Sequence, residues 1–149
     1  MSDAGVVRLL LFRVGTVVFA AEAERVREIL PRLAPTRIPG APSVVAGLVN
    51  VRGTLVTVVE GWRALRQAEP PADGGPGTTV LLQVGTGSKV LGFTVDEVVD
   101  LLSVGGGELE QRQALAGMDP TLVRAVGRRA GQIFVVLDTD ALLTPILSS

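Results

Sequence analysis

The sequence predicts a mainly β protein that consists of two small antiparallel barrels in an internal pseudo-repeat, with a few short helices. Three observations support this fold class. Apolar runs of strand length alternate with glycine turns along the 149 residues, which is typical of small barrels. An apolar fraction of 47% supplies a core, and an aromatic fraction of 3% means that aliphatic side chains fill most of it. The third observation is that the chain repeats itself.

The repeat consists of three matched pairs of segments that occur in the same order. Residues 14–16 recur as 84–86, residues 24–30 as 96–102, and residues 53–60 as 131–138. Between the copies, the stretch 68–77 is so rich in proline and glycine that we expect a surface loop there. The length fits one domain, so 1–149 is treated as a single domain with approximate halves at 1–72 and 73–149.

The run from Val44 to Val51 is predicted to be a strand that Gly47 interrupts, because glycine inside a strand usually marks a bulge or a close backbone approach. Asn50 and Gly53 bracket a turn that projects the guanidinium of Arg52 from an otherwise apolar surface. Such a surface suits the docking of a partner better than it suits a core.

Four short helices are predicted from apolar spacing and capping residues. Segment 26–30 has apolar side chains at i, i+3 and i+4, the stripe of a buried helix face, and segment 98–102 repeats this spacing. A third helix is predicted at about 61–67. The fourth lies at the C terminus, where Asp138 or Asp140 can cap the first turn and a later proline keeps the helix short or bent.

The composition excludes several classes of function. A net charge of −1 argues against nucleic acid or an anionic membrane as a partner, because both attract basic surfaces. The chain has no Cys and no His, so it lacks disulfides, thiolate metal ligands and the commonest general base. No apolar run approaches the length of a membrane span. We therefore expect a cytoplasmic protein without enzymatic activity, cofactor, metal or direct membrane insertion.

Motifs that suggest chemistry have simpler structural interpretations. Segment 85–89, Gly-Thr-Gly-Ser-Lys, is similar to part of a phosphate-binding loop, but it lacks the upstream glycine and the following helix. A hairpin turn is the favoured interpretation, and a small hydrolase or nucleotide-binding protein is the alternative that it leaves open. Asp138 and Asp140 suit a helix cap better than a metal pair. Asp96, Glu97 and Asp100 suit a solvated helix face better than acid–base catalysis.

One basic cluster stands out, formed by Arg124, Arg128 and Arg129. It has no interleaved aromatic residues, so a hairpin or a rim contact with a protein partner is favoured over nucleic-acid binding.

The segment from Pro39 to Gly53 follows the pattern Pro-x-x-Pro-x-x-Val-x-Gly-x-Val-Asn-x-Arg-Gly. This pattern resembles the signature of the CheW family, the coupling proteins of bacterial chemotaxis-type arrays, which link receptors to a histidine kinase. Segments 12–20, 26–30, 91–98 and 135–143 resemble further parts of that family in the right order. The resemblance implies two SH3-like five-stranded β-barrels that exchange chain segments, and an adaptor recruited to receptor arrays.

The resemblance also implies two sets of binding residues. The receptor-binding set, in the groove between the barrels, is Val26, Glu28, Val49, Arg52 and Val98, and the partner is the cytoplasmic tip of a chemoreceptor. The kinase-binding set, on the first barrel, is Val44, Ala46, Gly47 and Leu48, and the partner is the regulatory domain of a CheA-type histidine kinase. Gly47 would allow close approach of two barrels, or form a bulge alone.

Arg52 is the residue with the strongest predicted role, because a guanidinium is always charged and can form a forked pair with a carboxylate. The alternative is an internal salt bridge to Glu28, Glu60 or Asp96.

Two departures from the family pattern favour an alternative function. After Val56 the family usually continues Pro-Val-Ile-Asp-Leu, whereas this chain reads Thr-Val-Val-Glu-Gly, and Ala125 stands where the family usually has glycine. The second barrel and its edge are affected, where array contacts with a kinase would lie. The alternative is therefore a divergent accessory protein that binds receptor but not kinase and modulates the array.

Overall fold

A computed structural model describes residues 5–70, 77–87, 89–111 and 118–147, which form eleven strands and two α-helices. The strands are β1 (Val6–Val14), β2 (Val17–Glu22), β3 (Val26–Pro31), β4 (Val45–Val51), β5 (Thr54–Val59), β6 (Thr78–Gln83), β7 (Val90–Val95), β8 (Glu97–Gly105), β9 (Glu110–Gln111), β10 (Val123–Arg129) and β11 (Gln132–Leu137). The helices are α1 (Gly61–Ala64) and α2 (Thr139–Leu147). The predicted division between residues 72 and 73 lies outside the described residues.

The strands form two sheets, and each contains strands from both sides of segment 68–77. One sheet has the order β8-β1-β2-β11-β10-β9 and the other the order β3-β6-β7-β5-β4. Pairing is antiparallel except between β2 and β11 and between β5 and β7. The mainly β fold class is confirmed, with one difference in strand number: the two-residue strand β9 makes the first sheet six-stranded. Neither sheet closes on itself through the described strand pairs, an arrangement that is compatible with small barrels.

The matched sequence segments adopt matched structures. The turns of the β1–β2 and β6–β7 hairpins contain Gly15 and Gly85 at φ values of +65° and +68°. The β4–β5 and β10–β11 hairpins turn at residues 52–53 and 130–131, and all four of these residues have positive φ. Two consecutive residues in this conformation make the turn type whose twist matches the flanking strands. The internal repeat therefore reflects a repeated strand arrangement.

The prediction of helices at 26–30 and 98–102 is wrong, because these segments lie in β3 and β8. Each segment is too short to form a stable helix without tertiary support, and each pairs instead with a neighbouring strand, β6 or β1. Exposure in β3 alternates with period two, and Ile29, predicted to be buried, is 46% exposed. The shorter helix α1 and the C-terminal helix α2 occur where the sequence predicted helices, although α1 ends before residue 67.

Both faces of the six-stranded sheet are buried. Leu10 and Phe12 of β1 belong to a large core that lies between the two sheets and includes Phe93 of β7. Leu9 and Leu11 point to the opposite face, into a smaller core. Because both faces are covered, residues 9–12 in the middle of β1 form a continuous apolar run rather than an alternating one. The five-stranded sheet has its own small core beyond the shared one.

Asp96, which precedes β8, fixes the turn of the β1–β2 hairpin. Its carboxylate accepts hydrogen bonds from the Gly15 N–H at 2.9 Å and from Arg13 Nη1 at 3.2 Å. The same Arg13 nitrogen donates to the Gly15 carbonyl at 2.8 Å, and Arg13 Nε donates to Glu97 at 3.0 Å. The prediction of a solvated helix face for Asp96, Glu97 and Asp100 is therefore wrong: the first two carboxylates bind Arg13.

The second half has an equivalent arrangement around Asp140. The Asp140 carboxylate accepts from the Gly85 N–H at 2.9 Å and from Arg25 Nη2 at 2.9 Å, and Arg25 Nη1 donates to the Gly85 carbonyl at 2.7 Å. At both turns an aspartate that is distant in sequence accepts from the glycine N–H, and an arginine donates to the carbonyl of the same glycine. These contacts tie the N-terminal strands to the C-terminal half of the chain.

Candidate functional site

Arg52 lies at the tip of the β4–β5 hairpin, in the turn that the sequence predicted. The Asn50 side chain accepts a hydrogen bond from the Gly53 N–H at 2.7 Å, which explains why a short amide residue precedes the turn. Arg52 itself has a φ of +49°, a left-handed conformation that glycine or asparagine adopts at lower cost. The turn holds a side chain that is 69% exposed.

The Arg52 guanidinium forms a forked ion pair with the carboxylate of Glu28 on β3. Arg52 Nη1 donates to Glu28 Oε2 at 3.0 Å, and Nη2 donates to Oε1. This pair lowers the pKa of Glu28, chiefly through the hydrogen bond from Arg52, and the same bond raises the pKa of Arg52. Of the internal partners that the sequence left open, the structure selects Glu28.

An equivalent ion pair occurs in the other sheet, and the sequence interpretation missed it. Arg129, at the end of β10, donates through Nε to Asp100 on β8 at 2.7 Å, and this bond is the largest cause of the lowered pKa of Asp100. Asp100 occupies the repeat position of Glu28, and Arg129 stands directly before the left-handed turn residue Ala130. In each half, a carboxylate on an edge strand binds an arginine of the distant hairpin. The sequence repeat contained the signal, because aligning 24–30 with 96–102 places Glu28 and Asp100 together.

Aliphatic side chains are exposed at matched positions of the two halves. Ile29 follows Glu28 on β3 and is 46% exposed, and Leu55 on β5 is 67% exposed. Leu101 and Ile133 occupy the repeat positions in the other half, and each is 54% exposed. Contiguous exposed apolar patches mark interaction sites, whereas apolar side chains that are exposed singly are common on protein surfaces.

The structure places the five residues of the predicted receptor-binding set in three environments. Glu28 and Arg52 are bonded to each other. Val26 on β3 and Val98 on β8 are half-buried and pack against the core shared by both sheets. Val49 is only 6% exposed and packs in the separate core of the five-stranded sheet. The side chain of Val49 thus has little surface to offer to a partner.

Gly47, in the predicted kinase-binding set, forms a bulge and also a close backbone approach. The pairing of β4 with β5 shifts between Val45 and Gly47, and the φ of Gly47 is +149°. A Cβ atom at Gly47 would lie 2.2 Å from the carbonyl oxygen of Thr36. Thr36 and Leu48 exchange two backbone hydrogen bonds of 2.8 Å, so the approach occurs within this chain.

The other members of that set are half-buried. Val44 precedes β4 and packs against the shared core, and its carbonyl accepts from the Glu60 N–H at 2.8 Å. Ala46 packs beside the core of the five-stranded sheet, and Leu48 lies in β4 where Thr36 covers the strand edge. The kinase-binding set therefore presents small portions of aliphatic side chains.

The motifs with chemical interpretations serve to fix local structure. Segment 85–89 connects β6 and β7, and the Gly85 N–H that a phosphate would require is bonded to Asp140. Ser88 lies outside the described residues. Asp138 accepts from the Ala141 N–H at 3.1 Å, so the predicted cap of α2 is confirmed. Among the described residues, no cluster of three or more carboxylates has the arrangement of a metal site.

The basic cluster is part of the β10–β11 hairpin, as one of its interpretations predicted. Arg124 donates to Glu22 at 3.0 Å, and Arg129 binds Asp100. Arg128 is exposed between them on β10. Two of the three arginines are therefore paired within the fold.

The sequence of this chain is similar to one protein family and to individual bacterial proteins. A family model described as CheW-like domain matches residues 8–146. The Chemotaxis protein CheW of Rhizobium meliloti (strain 1021) is 28% identical over 136 residues, which cover 89% of this chain and 84% of that protein. Protein FrzA of Myxococcus xanthus is 36% identical over 90 residues, which cover 60% of this chain and 54% of that protein.

A solved structure has the same fold. The scaffolding protein TtCheW from Thermoanaerobacter tengcongensis superposes with a TM-score of 0.82 over 92% of each chain, at 14% sequence identity. In the part of the chain that the structure describes, no helix is long and apolar enough to cross a membrane. Because the family model covers residues 8–146, nearly the whole chain, this protein belongs to the CheW-like domain family.

Proposed function

We propose that this protein is a non-enzymatic adaptor that couples chemoreceptors to a CheA-type histidine kinase in a chemotaxis-like signalling array. Membership of the CheW-like domain family supports a coupling role. The observation that carries the assignment is the exposed guanidinium of Arg52, held in a left-handed turn at the tip of the β4–β5 hairpin. The protein would act in the cytoplasm and be recruited to receptor arrays.

The receptor would be recognised by exchange of ion-pair partners. Arg52 is bonded to Glu28 in a pair that is open to solvent, and exposed ion pairs stabilise a fold only slightly. Breaking this pair therefore costs little folding free energy, so a carboxylate or a set of helix-end carbonyl groups on the receptor tip can compete for the guanidinium. Val26 and Val98 would supply apolar contact at the edge of the shared core.

A receptor-binding accessory protein without kinase binding is the second candidate. It is favoured by the limited exposure of the proposed kinase set, in which Gly47 is buried and Val44, Ala46 and Leu48 are half-buried. Coupling requires that this surface still binds the regulatory domain of the kinase. The two candidates differ in one measurable property, the affinity for that domain.

The role of Arg52 is tested by titrating a soluble receptor-tip fragment with wild-type protein and with Arg52→Ala by calorimetry. Removal of a desolvated arginine anchor is expected to weaken binding by roughly 1–3 kcal/mol. Arg128→Ala is the matched control, because it removes an exposed arginine from a different hairpin. Equal affinities of wild type and Arg52→Ala would refute the proposed role of Arg52.

A further inference from the structure

A cleft of about 420 Å³ lies between the helical segments of the two halves. One wall is α1 with the residues that follow it, and the other is formed by residues 118–122 and α2. Aliphatic side chains line much of it: Val44, Leu65, Leu122, Leu142 and Ile146. Its size lies within the range of about 300–1,000 Å³ that is usual for ligand clefts.

Three charged residues line this cleft, and two of them have partners within the fold. The Asp119 carboxylate accepts from the Thr121 N–H at 3.0 Å and from the Thr121 hydroxyl at 2.8 Å. Arg63 pairs with Glu60 at 3.5 Å. The Arg66 guanidinium forms no hydrogen bond or ion pair within 4 Å in the described part of the chain, but it is near enough to Asp119 for its charge to contribute, after the hydrogen bonds from Thr121, to the lowered pKa of that carboxyl. The cleft thus combines an apolar lining with one cation that is available to a ligand.

Arg66 occupies a left-handed position at the end of α1, where glycine is usual. The Arg66 N–H donates to the Arg63 carbonyl at 3.3 Å, and the Gln67 N–H donates to the Trp62 carbonyl at 2.8 Å. These two bonds define a helix C-terminal motif in which the residue at the Arg66 position is left-handed and is usually glycine. Arg66 has a φ of +56°, which glycine adopts at lower cost. An arginine at such a position is a reason to look for a role of its side chain.

We propose that this cleft is a docking site for a segment of a partner protein that presents a carboxylate beside aliphatic side chains. The aliphatic lining would bury the partner's apolar side chains, and Arg66 would bind the carboxylate in a forked pair. The partner would be acidic, because Arg66 is the charge of the cleft left without a hydrogen-bonded partner within the described residues. The site contains no member of the proposed receptor-binding set and shares only Val44 with the proposed kinase-binding set.

A ligand in this cleft would contact both halves of the molecule. Val44 and Leu65 come from the first half, whereas Leu122, Leu142 and Ile146 come from the second. A bound partner segment would therefore hold the two halves together. The proposal does not depend on which proteins bind the Glu28–Arg52 surface.

The test is a selection of phage-displayed random peptides of about twelve residues on the full-length protein. We expect a class of selected peptides that is enriched in Asp or Glu beside Leu, Ile or Val. Their affinity should fall by about tenfold or more for Arg66→Glu, because a charge pair becomes a repulsion. Arg128→Glu, an exposed charge reversal on a distant strand, should leave the affinity unchanged.

Arg66→Gly separates binding from folding. This variant should unfold at the wild-type temperature or above it, because glycine relieves the left-handed backbone, and it should still lose peptide affinity. Selected peptides without acidic enrichment, or peptides that bind Arg66→Glu as well as wild type, would overturn the proposal. So would amide chemical-shift changes that map to Glu28 and Arg52 instead of the cleft. Self-association of the protein that Arg66→Glu abolishes would identify a second copy as the occupant and overturn the partner class.

Discussion

Gly47→Ala should be among the most damaging single-methyl changes in the five-stranded sheet. The added Cβ would lie 2.2 Å from the Thr36 carbonyl oxygen and 2.7 Å from the Thr36 carbonyl carbon. Both atoms belong to the backbone, so no side-chain rotation relieves the contact. Gly47 also has a φ of +149°, which residues with a Cβ rarely adopt.

The expected loss of stability can be estimated from the hydrogen bonds that must break to make room for the Cβ atom. Separation of Thr36 from β4 would break the two hydrogen bonds of 2.8 Å that Thr36 and Leu48 exchange. Each such bond contributes roughly 0.5–1.5 kcal/mol net, and the unfavourable φ adds roughly 1–3 kcal/mol. The free energy of unfolding should therefore fall by about 2–6 kcal/mol.

Equilibrium unfolding in urea measures this change, with Gly53→Ala as the matched control. Gly53 also has a positive φ, +88°, but nothing lies within 4 Å of the position of its Cβ. The control therefore carries the conformational cost without the clash, and Gly47→Ala should be the less stable variant by roughly 1–3 kcal/mol. If the two variants were equally stable, the inferred approach of Thr36 to Gly47 would be wrong. If Gly47→Ala is destabilised as predicted, any loss of kinase binding in this variant has to be interpreted together with its lower stability.

Three further predictions concern individual polar groups. The Thr79 hydroxyl is buried without a hydrogen-bond partner in the described structure. Thr79→Val should therefore raise the free energy of unfolding, measured in urea, by about 1 kcal/mol. A clear loss of stability would show that the hydroxyl has a partner after all. Asp96→Ala leaves the Gly15 N–H without its acceptor and should lower the free energy of unfolding by roughly 1–3 kcal/mol. A change of less than about 0.3 kcal/mol would show that the turn does not need this carboxylate. The bond from Arg52 lowers the pKa of Glu28 in the folded state below its ordinary value of 4.5, so its stabilising contribution is present above that pH and is lost as the pH falls through and below it. Acid titration of thermal stability should therefore fall more steeply for wild type than for Arg52→Gln, and identical profiles would argue against the ion pair.

The hairpins could be predicted from sequence because local chemistry determines them. Asn50 and Gly53 specify the β4–β5 turn through one side-chain hydrogen bond and two left-handed residues. The bulge at Gly47 was likewise indicated by a glycine inside an apolar run. The cap of α2 by Asp138 depends on residues three apart, so the sequence reveals it directly.

The edge strands β3 and β8 could not be assigned from their own sequence. Segments 26–30 and 98–102 have apolar spacing that fits one helical turn and also fits a strand with one partly buried face. Their conformation is decided by pairing with β6 and β1, which are distant in the chain. Tertiary pairing outweighs a weak local pattern in such short segments.

The partner of Arg52 and the cleft at Arg66 depend on three-dimensional arrangement. Three carboxylates were possible internal partners for Arg52, and only the fold shows that Glu28 on β3 faces the hairpin tip. The cleft joins α1 to α2 and to residues 118–122, so no local pattern indicates it. The left-handed Arg66 is also invisible in the sequence, because arginine does not signal the end of a helix.

The measurement that tests the proposed coupling most directly is retention of the isolated kinase regulatory domain on an immobilised receptor-tip fragment. We predict that the regulatory domain is retained in proportion to the amount of this protein added, is absent without it, and is reduced when Arg52→Ala replaces wild type. Binding of the protein to the receptor fragment without retention of the regulatory domain would contradict coupling and identify an accessory, receptor-bound member of the family.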